Sequence, residues 1–209
     1  MEELDGRVER LTGTTTVPPS LDPSTGVDSR DAIIDPSTNV SASLYLPRSN
    51  SFAGKLPILL YFHGGGFCIE SAASPKYHRH LNSLSSLTPL LAVSLNYRLA
   101  PEHRLPAAYH DAWAAIQWVL SQADPWVAQF GDLNRLFVAG DSAGGNIAHQ
   151  LVMRAGAVEY YEKLKTSGWK GVAEFVETPA AVHVFHLSYP ESEIAVKKIR
   201  VLADFFGRE

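Results

Sequence analysis

The stretch LFVAGDSAGGNIAHQ, residues 136–150, constrains the fold more than any other part of the chain. A β-rich apolar run meets a helical run through G-x-S-x-G, with Ser142 between two small residues. A strand-to-helix turn this sharp brings neighbouring backbones together, so Gly140 and Gly144 have to lack a Cβ. Its tip lifts the Ser142 hydroxyl clear of the sheet, which is the placement a nucleophile needs. A second glycine cluster, HGGGF at residues 63–67, ends the apolar run LPILLYF. Glycines there let backbone N–H groups aim at a developing oxyanion. The candidate oxyanion hole is Gly64, Gly65, Gly66 and Ala143: Gly65, Gly66 and Ala143 supply donors and Gly64 shapes the turn. No lysine follows these glycines in the spacing of a phosphate-binding loop.

The rest of the chain supplies the frame. Residues 27–34 and 39–47 are two β-rich runs separated by DPST, which predicts a hairpin. The runs 56–67 and 88–101 are continuously apolar, as in strands buried on both faces, and SPKYHRHLNSLSS between them suits a short helix. Pro106 opens a further helix, with Tyr109, Trp113, Ile116 and Leu120 on one apolar face. NRLFVAGDS is a third buried strand, followed by a helix from Ser142 to about Ala155. Beyond Gly156 the pattern predicts an amphipathic helix, a strand over 172–177, and a last helix from Pro190 to near Phe206. Buried strands alternating with helices imply βαβ units and a parallel sheet.

GDSAG, HGGGF and the intervening NYRLAPEHRLPAAYHDAW (96–113) together resemble the hormone-sensitive-lipase-like α/β hydrolases. Within that group the chain looks like a plant carboxylesterase, close to the branch that holds the gibberellin receptors. The resemblance runs from DGRVERLTGTTTVPPS to the final helix and implies one domain over residues 1–209. It implies an α/β-hydrolase fold with a mostly parallel sheet flanked by helices, and a serine esterase acting on small acyl esters. It implies neither a metal nor a cofactor. In YRLAPEH and the helix after it, His103 and Asp111 brace the strand end and elbow rather than react.

This fold uses the chain order serine, acid, histidine. His63, His78, His80, His103 and His110 precede Ser142, and His149 lies two turns into the following helix with its side chain aimed away. VHVFH remains, with His183 and His186, and the family register makes His183 the base and His186 a packing residue. The four residues before it, Pro179 to Val182, are more apolar than the family pattern. Only 41 positions separate Ser142 from His183, and no aspartate lies between them. Glu159 and Glu162 read as a solvated helix face and Glu174 as a surface strand residue, which leaves Glu177 as the geometrically conceivable acid. The expectation is therefore a shortened and impaired member, lacking strands and cap elements between the nucleophile helix and the histidine loop and starting inside a pocket-closing helix. Two alternatives follow from the same family: a dehydratase of a hydroxylated plant metabolite, and a non-catalytic gibberellin-like binding protein.

The resemblance implies a small-molecule ester as the partner, and composition argues against larger ones. A net charge of −4 without a basic run argues against nucleic acid, and no apolar stretch is long enough to span a bilayer. The start, MEELDGRVERL, is acidic without an apolar core, and the single cysteine, Cys68, fits a reducing compartment. Together these predict a cytoplasmic protein. Asn39-Val40-Ser41 matches a glycosylation acceptor by chance on this reading.

Overall fold

The structure, a computed structural model, describes residues 8–48, 54–156 and 185–207. Its sheet begins with a short strand β1 (Leu21–Asp22), then β2 (Val27–Asp35) and β3 (Val40–Pro47). β2 and β3 form the expected antiparallel hairpin. Its turn is closed by Asp35, whose carboxylate accepts from the Ser37 N–H and hydroxyl and the Thr38 hydroxyl, while Asn39 takes a φ of 56°. β4 (Leu56–Phe62), helix α1 (Pro75–Leu87) and β5 (Leu91–Asn96) make the first crossover. Helices α2 (Ala107–Leu120) and α3 (Pro125–Phe130) then lead to β6 (Gly131–Gly140) and α4 (Ala143–Gly156). A short α5 (Phe185–Ser188) and the longer α6 (Glu193–Phe206) complete the described elements.

The strand order is β1-β2-β3-β5-β4-β6. Only β4 pairs in parallel, with β5 on one side and β6 on the other; the pairings β1–β2, β2–β3 and β3–β5 are antiparallel. The sheet is therefore mixed and mostly antiparallel, not mostly parallel as the alternation of strands and helices suggested. The reason is local. Helical crossovers force parallel pairing only onto β4, β5 and β6, whereas β1 to β3 are joined by tight turns that reverse the chain. The strand expected over 172–177 lies outside the described residues, as does the helix expected after Gly156.

β4 explains why its sequence is apolar without alternation. Ile58, Leu60 and Phe62 enter one core with Val93, Leu95, Ile147 and the α2 residues Ala108, Ala112, Ala115 and Val119. Leu59 and Tyr61 enter the other, with Tyr77, Leu81 and Leu84 of α1 and Ala203 and Phe206 of α6. On α2 the buried stripe is the small one, not the line of Tyr109, Trp113, Ile116 and Leu120; Leu120 is exposed. Small side chains let the helix axis lie close to the sheet, and the aromatic residues Tyr109 and Trp113 pack around its flank. α3 went unforeseen, although Asp124 before Pro125 is a sound start signal: its carboxylate caps the N–H groups of Trp126 and Val127.

Candidate active site

β4 is the strand at which the sheet reverses its order, the position where open α/β sheets place their ligands because neighbouring connections leave in opposite directions. Register places Phe62 opposite Gly140. HGGGF and GDSAG, which continue these two strands, therefore emerge side by side from the same end of the sheet.

At the elbow Ser142 is exposed and held at φ 51°, a left-handed conformation uncommon outside glycine. The Gly144 N–H donates to the Asp141 carbonyl at 2.8 Å, closing the turn, and Ala143 starts α4. A Cβ on Gly140 would lie 2.5 Å from Gly144 backbone atoms and 2.7 Å from the Phe62 carbonyl oxygen. One on Gly144 would lie 2.6 Å from the Phe62 carbonyl carbon and 2.7 Å from the His63 carbonyl oxygen. Both glycines are thus required by close approach of three backbone segments.

The facing loop is built just as tightly. Gly64 is buried, and its N–H donates to Asp141 Oδ1 at 3.0 Å and to the Tyr77 hydroxyl at 2.7 Å. The Tyr77 and Tyr61 hydroxyls donate to the same carboxylate at 3.0 and 3.1 Å. Burial pushes the Asp141 carboxyl above its ordinary range, and the bonds from Tyr77, Tyr61 and Gly64 oppose that rise. Asp141, the variable residue of G-x-S-x-G, thereby ties the serine turn to the glycine loop. Nothing in the motif itself announced this role, and the two tyrosines lie 80 and 64 positions away. Gly65 (φ 113°) and Gly66 (φ 60°) turn the chain outward. Their N–H groups and that of Ala143 donate to no described residue, and Ala143 also lies at the electropositive end of α4.

Further residues hold the loop in place. His63 is fully buried and stacked on Tyr97, with ring centroids 4.2 Å apart. Its Nδ1–H donates to the Gly64 carbonyl at 2.7 Å, and burial pushes its pKa down to about 4. The Tyr97 hydroxyl donates to the His63 carbonyl. Next along the chain, the Arg98 guanidinium and N–H bind Asp111, which is buried. From the N-terminal segment Arg10 donates to the carbonyls of Cys68 and Ala100 and pairs with both Glu102 oxygens, at 2.7 and 2.6 Å. His103 and His149 are exposed, and His186 packs against His80 on the other side of the sheet. His183 and the glutamates 159, 162, 174 and 177 lie outside the described residues. Among the described residues no three His, Cys, Asp or Glu side chains gather as a metal site, and no helix is long and apolar enough to cross a membrane.

The profile of the α/β hydrolase fold family matches residues 59–159, which contain both glycine motifs. A probable carboxylesterase 2 of Arabidopsis thaliana is 34% identical, the match covering 98% of this chain and 93% of that protein. The chain belongs to the α/β-hydrolase family of carboxylesterases. That alignment runs over 291 positions, so a large part of the Arabidopsis carboxylesterase has no counterpart in a chain of 209 residues. A 2-hydroxyisoflavanone dehydratase of Glycyrrhiza echinata is 48% identical over 174 positions, covering 78% of this carboxylesterase-like chain but 53% of the dehydratase. The hyperthermophilic esterase of Pyrobaculum calidifontis shares the fold, with a TM-score of 0.69, 23% identity and coverage of 87% and 85% of the two chains.

Proposed function

We propose that this carboxylesterase-like hydrolase cleaves small carboxylic esters, with Ser142 as nucleophile and His183 as base. The observation that carries the reading is an exposed serine in a left-handed turn at the same sheet end as three N–H groups that donate to no described residue, those of Gly65, Gly66 and Ala143. Ser142 Oγ attacks the ester carbonyl while His183 takes its proton. The oxyanion is held by the three N–H groups, and the alcohol leaves with the proton from His183. Water then attacks the acyl-enzyme by the same route. Gly64 serves by fixing the loop, since its own N–H is already engaged.

Turnover is slow on this reading, because no aspartate lies between Ser142 and His183 to orient the imidazole. Loss of that partner costs about 10⁴-fold in kcat, while an oxyanion hole and binding retain roughly 10³-fold over water. The test is hydrolysis of p-nitrophenyl acetate and butyrate by the purified chain beside Ser142→Ala. Slow turnover that disappears in Ser142→Ala supports the proposal, and equal turnover by the variant refutes it. The similarity to the Glycyrrhiza dehydratase favours a second reading, in which the same groups remove water from a 2-hydroxyisoflavanone. Product formation from that compound without ester cleavage selects it.

A further inference from the structure

A cavity of about 230 Å³ opens between α1, α5 and α6, lined by none of the residues of HGGGF or GDSAG. Its wall is divided by chemistry. Leu87, Leu187, Val196 and Ile199 supply an apolar floor, and Arg79 and Arg200 stand with it as exposed cations. Neither arginine makes a hydrogen bond or ion pair with any described residue. Lys76, also in the wall, is already engaged by Glu70 at 2.8 Å. Glu191 is the acid among the lining residues, so the cavity keeps a surplus of positive charge.

Deeper in, His80 is 7% exposed and meets the edge of the His186 ring at 5.4 Å. Burial pushes the His80 pKa down to about 3, so its imidazole is neutral at physiological pH. A floor of leucine, valine and isoleucine does nothing for inorganic phosphate, and two arginine forks do nothing for a hydrocarbon. A planar carboxylate on a compact apolar body satisfies both, since guanidinium pairs with carboxylate in a bidentate fork. The volume lies below the span of drug-sized sites, which limits the body to a single ring or short chain.

We propose that this cavity is a binding site for a small organic monocarboxylate, its apolar body on Leu187, Val196 and Ile199 and its carboxylate between Arg79 and Arg200. Benzoate is the probe, titrated into the intact ¹⁵N-labelled chain at low salt, with benzamide and inorganic phosphate as separate arms. The expected result is millimolar benzoate binding with shifts confined to α1, α5 and α6. Arg79→Ala and Arg200→Ala each weaken it about tenfold, the worth of one charge-assisted hydrogen bond, and the lysine replacements recover part of the loss. Both arginines are exposed, so these variants keep the fold. Benzamide binding as tight as benzoate, phosphate binding as tight as benzoate, unchanged affinity in both alanine variants, or shifts centred on Ser142 would each overturn the assignment.

Discussion

Gly144 is the position where one methyl group tests the whole site. An alanine Cβ there meets the Phe62 carbonyl carbon at 2.6 Å and the His63 carbonyl oxygen at 2.7 Å. It overlaps the Phe62 carbonyl oxygen more closely still. Carbon–carbon and carbon–oxygen contacts settle near 3.5 Å, so the start of α4 must retreat from the end of β4 by at least about 1 Å. Every colliding atom is backbone, and no side chain can rotate away. Overpacking of this kind costs about 1–3 kcal/mol, which for a chain of this size lowers the melting temperature by roughly 2–12 °C. The same retreat carries Ser142 and the Ala143 N–H away from Gly65 and Gly66. A misplacement of about 1 Å costs on the order of 10²-fold in rate. The assay pairs a thermal melt with the rate at which a fluorophosphonate probe labels Ser142. Two controls separate causes. Gly145→Ala meets the Gly140 carbonyl oxygen at 3.3 Å and its carbon at 3.8 Å, and Gly66→Ala meets nothing within 4 Å but has to adopt φ 60°. Gly145→Ala should behave nearly as the parent, and Gly66→Ala should lose only about 1 kcal/mol. A Gly144→Ala protein that melts and labels like the parent refutes the close-approach argument.

Three other outcomes follow from the same geometry. Ser142→Gly relieves a left-handed serine and should raise stability by about 1 kcal/mol while abolishing probe labelling; a less stable glycine variant contradicts the strain. Asp141→Ala leaves the Tyr61 hydroxyl without its carboxylate and loosens Gly64, for a loss of about 2–4 kcal/mol by urea unfolding, whereas Asp141→Asn keeps the shape and costs less. Acid should weaken the fold through His63, whose folded pKa of about 4 lies below the ordinary 6.5. The folded state then binds fewer protons, so this contribution is complete above pH 6.5 and is lost as pH falls toward 4, about 2 kcal/mol of it by pH 5. Asp141, shifted upward, works in the opposite sense above pH 3.8. Replacing His63 with Asn should lessen the fall in urea stability between pH 7 and 5, leaving the share of buried His80, whose pKa is also pushed down, to about 3; an unchanged slope places the effect elsewhere.

The strands β4, β5 and β6, the β2–β3 hairpin and the helices α1 and α4 were legible because each carries a local signature: an unbroken apolar run, a turn sequence or a glycine stop. The direction of the sheet was not, since antiparallel pairing of β3 with β5 depends on which edge the hairpin reaches. On α2 the apolar spacing found Tyr109, Trp113 and Ile116 at the flank of the core, but not the alanine stripe that the helix–sheet gap selects for full burial. At the site, the glycines and Ser142 stood out from their motif. The Asp141 network did not, because a carboxylate between two glycine-rich segments has no pattern until the register of β4 and β6 is known. His183, the expected base, lies outside the described residues.

Gly64 and Asp141 meet across 77 residues of chain, and the strands that carry them pair in parallel. Such a pair cannot form until the whole crossover through α1, β5, α2 and α3 has closed, which makes it slow beside a hairpin turned by the few residues between Asp35 and Val40. If Ser142 is the nucleophile proposed above, it should be chemically silent in a partly folded chain: the hydroxyl is there, but the N–H groups of Gly65 and Gly66 are not yet beside it. During refolding, probe labelling should lag behind hairpin formation and keep pace with docking of β6 on β4. On that reading Ser142 labelling would clock the long-range docking of β6 on β4, and reactivity would be withheld from any chain that has not completed it.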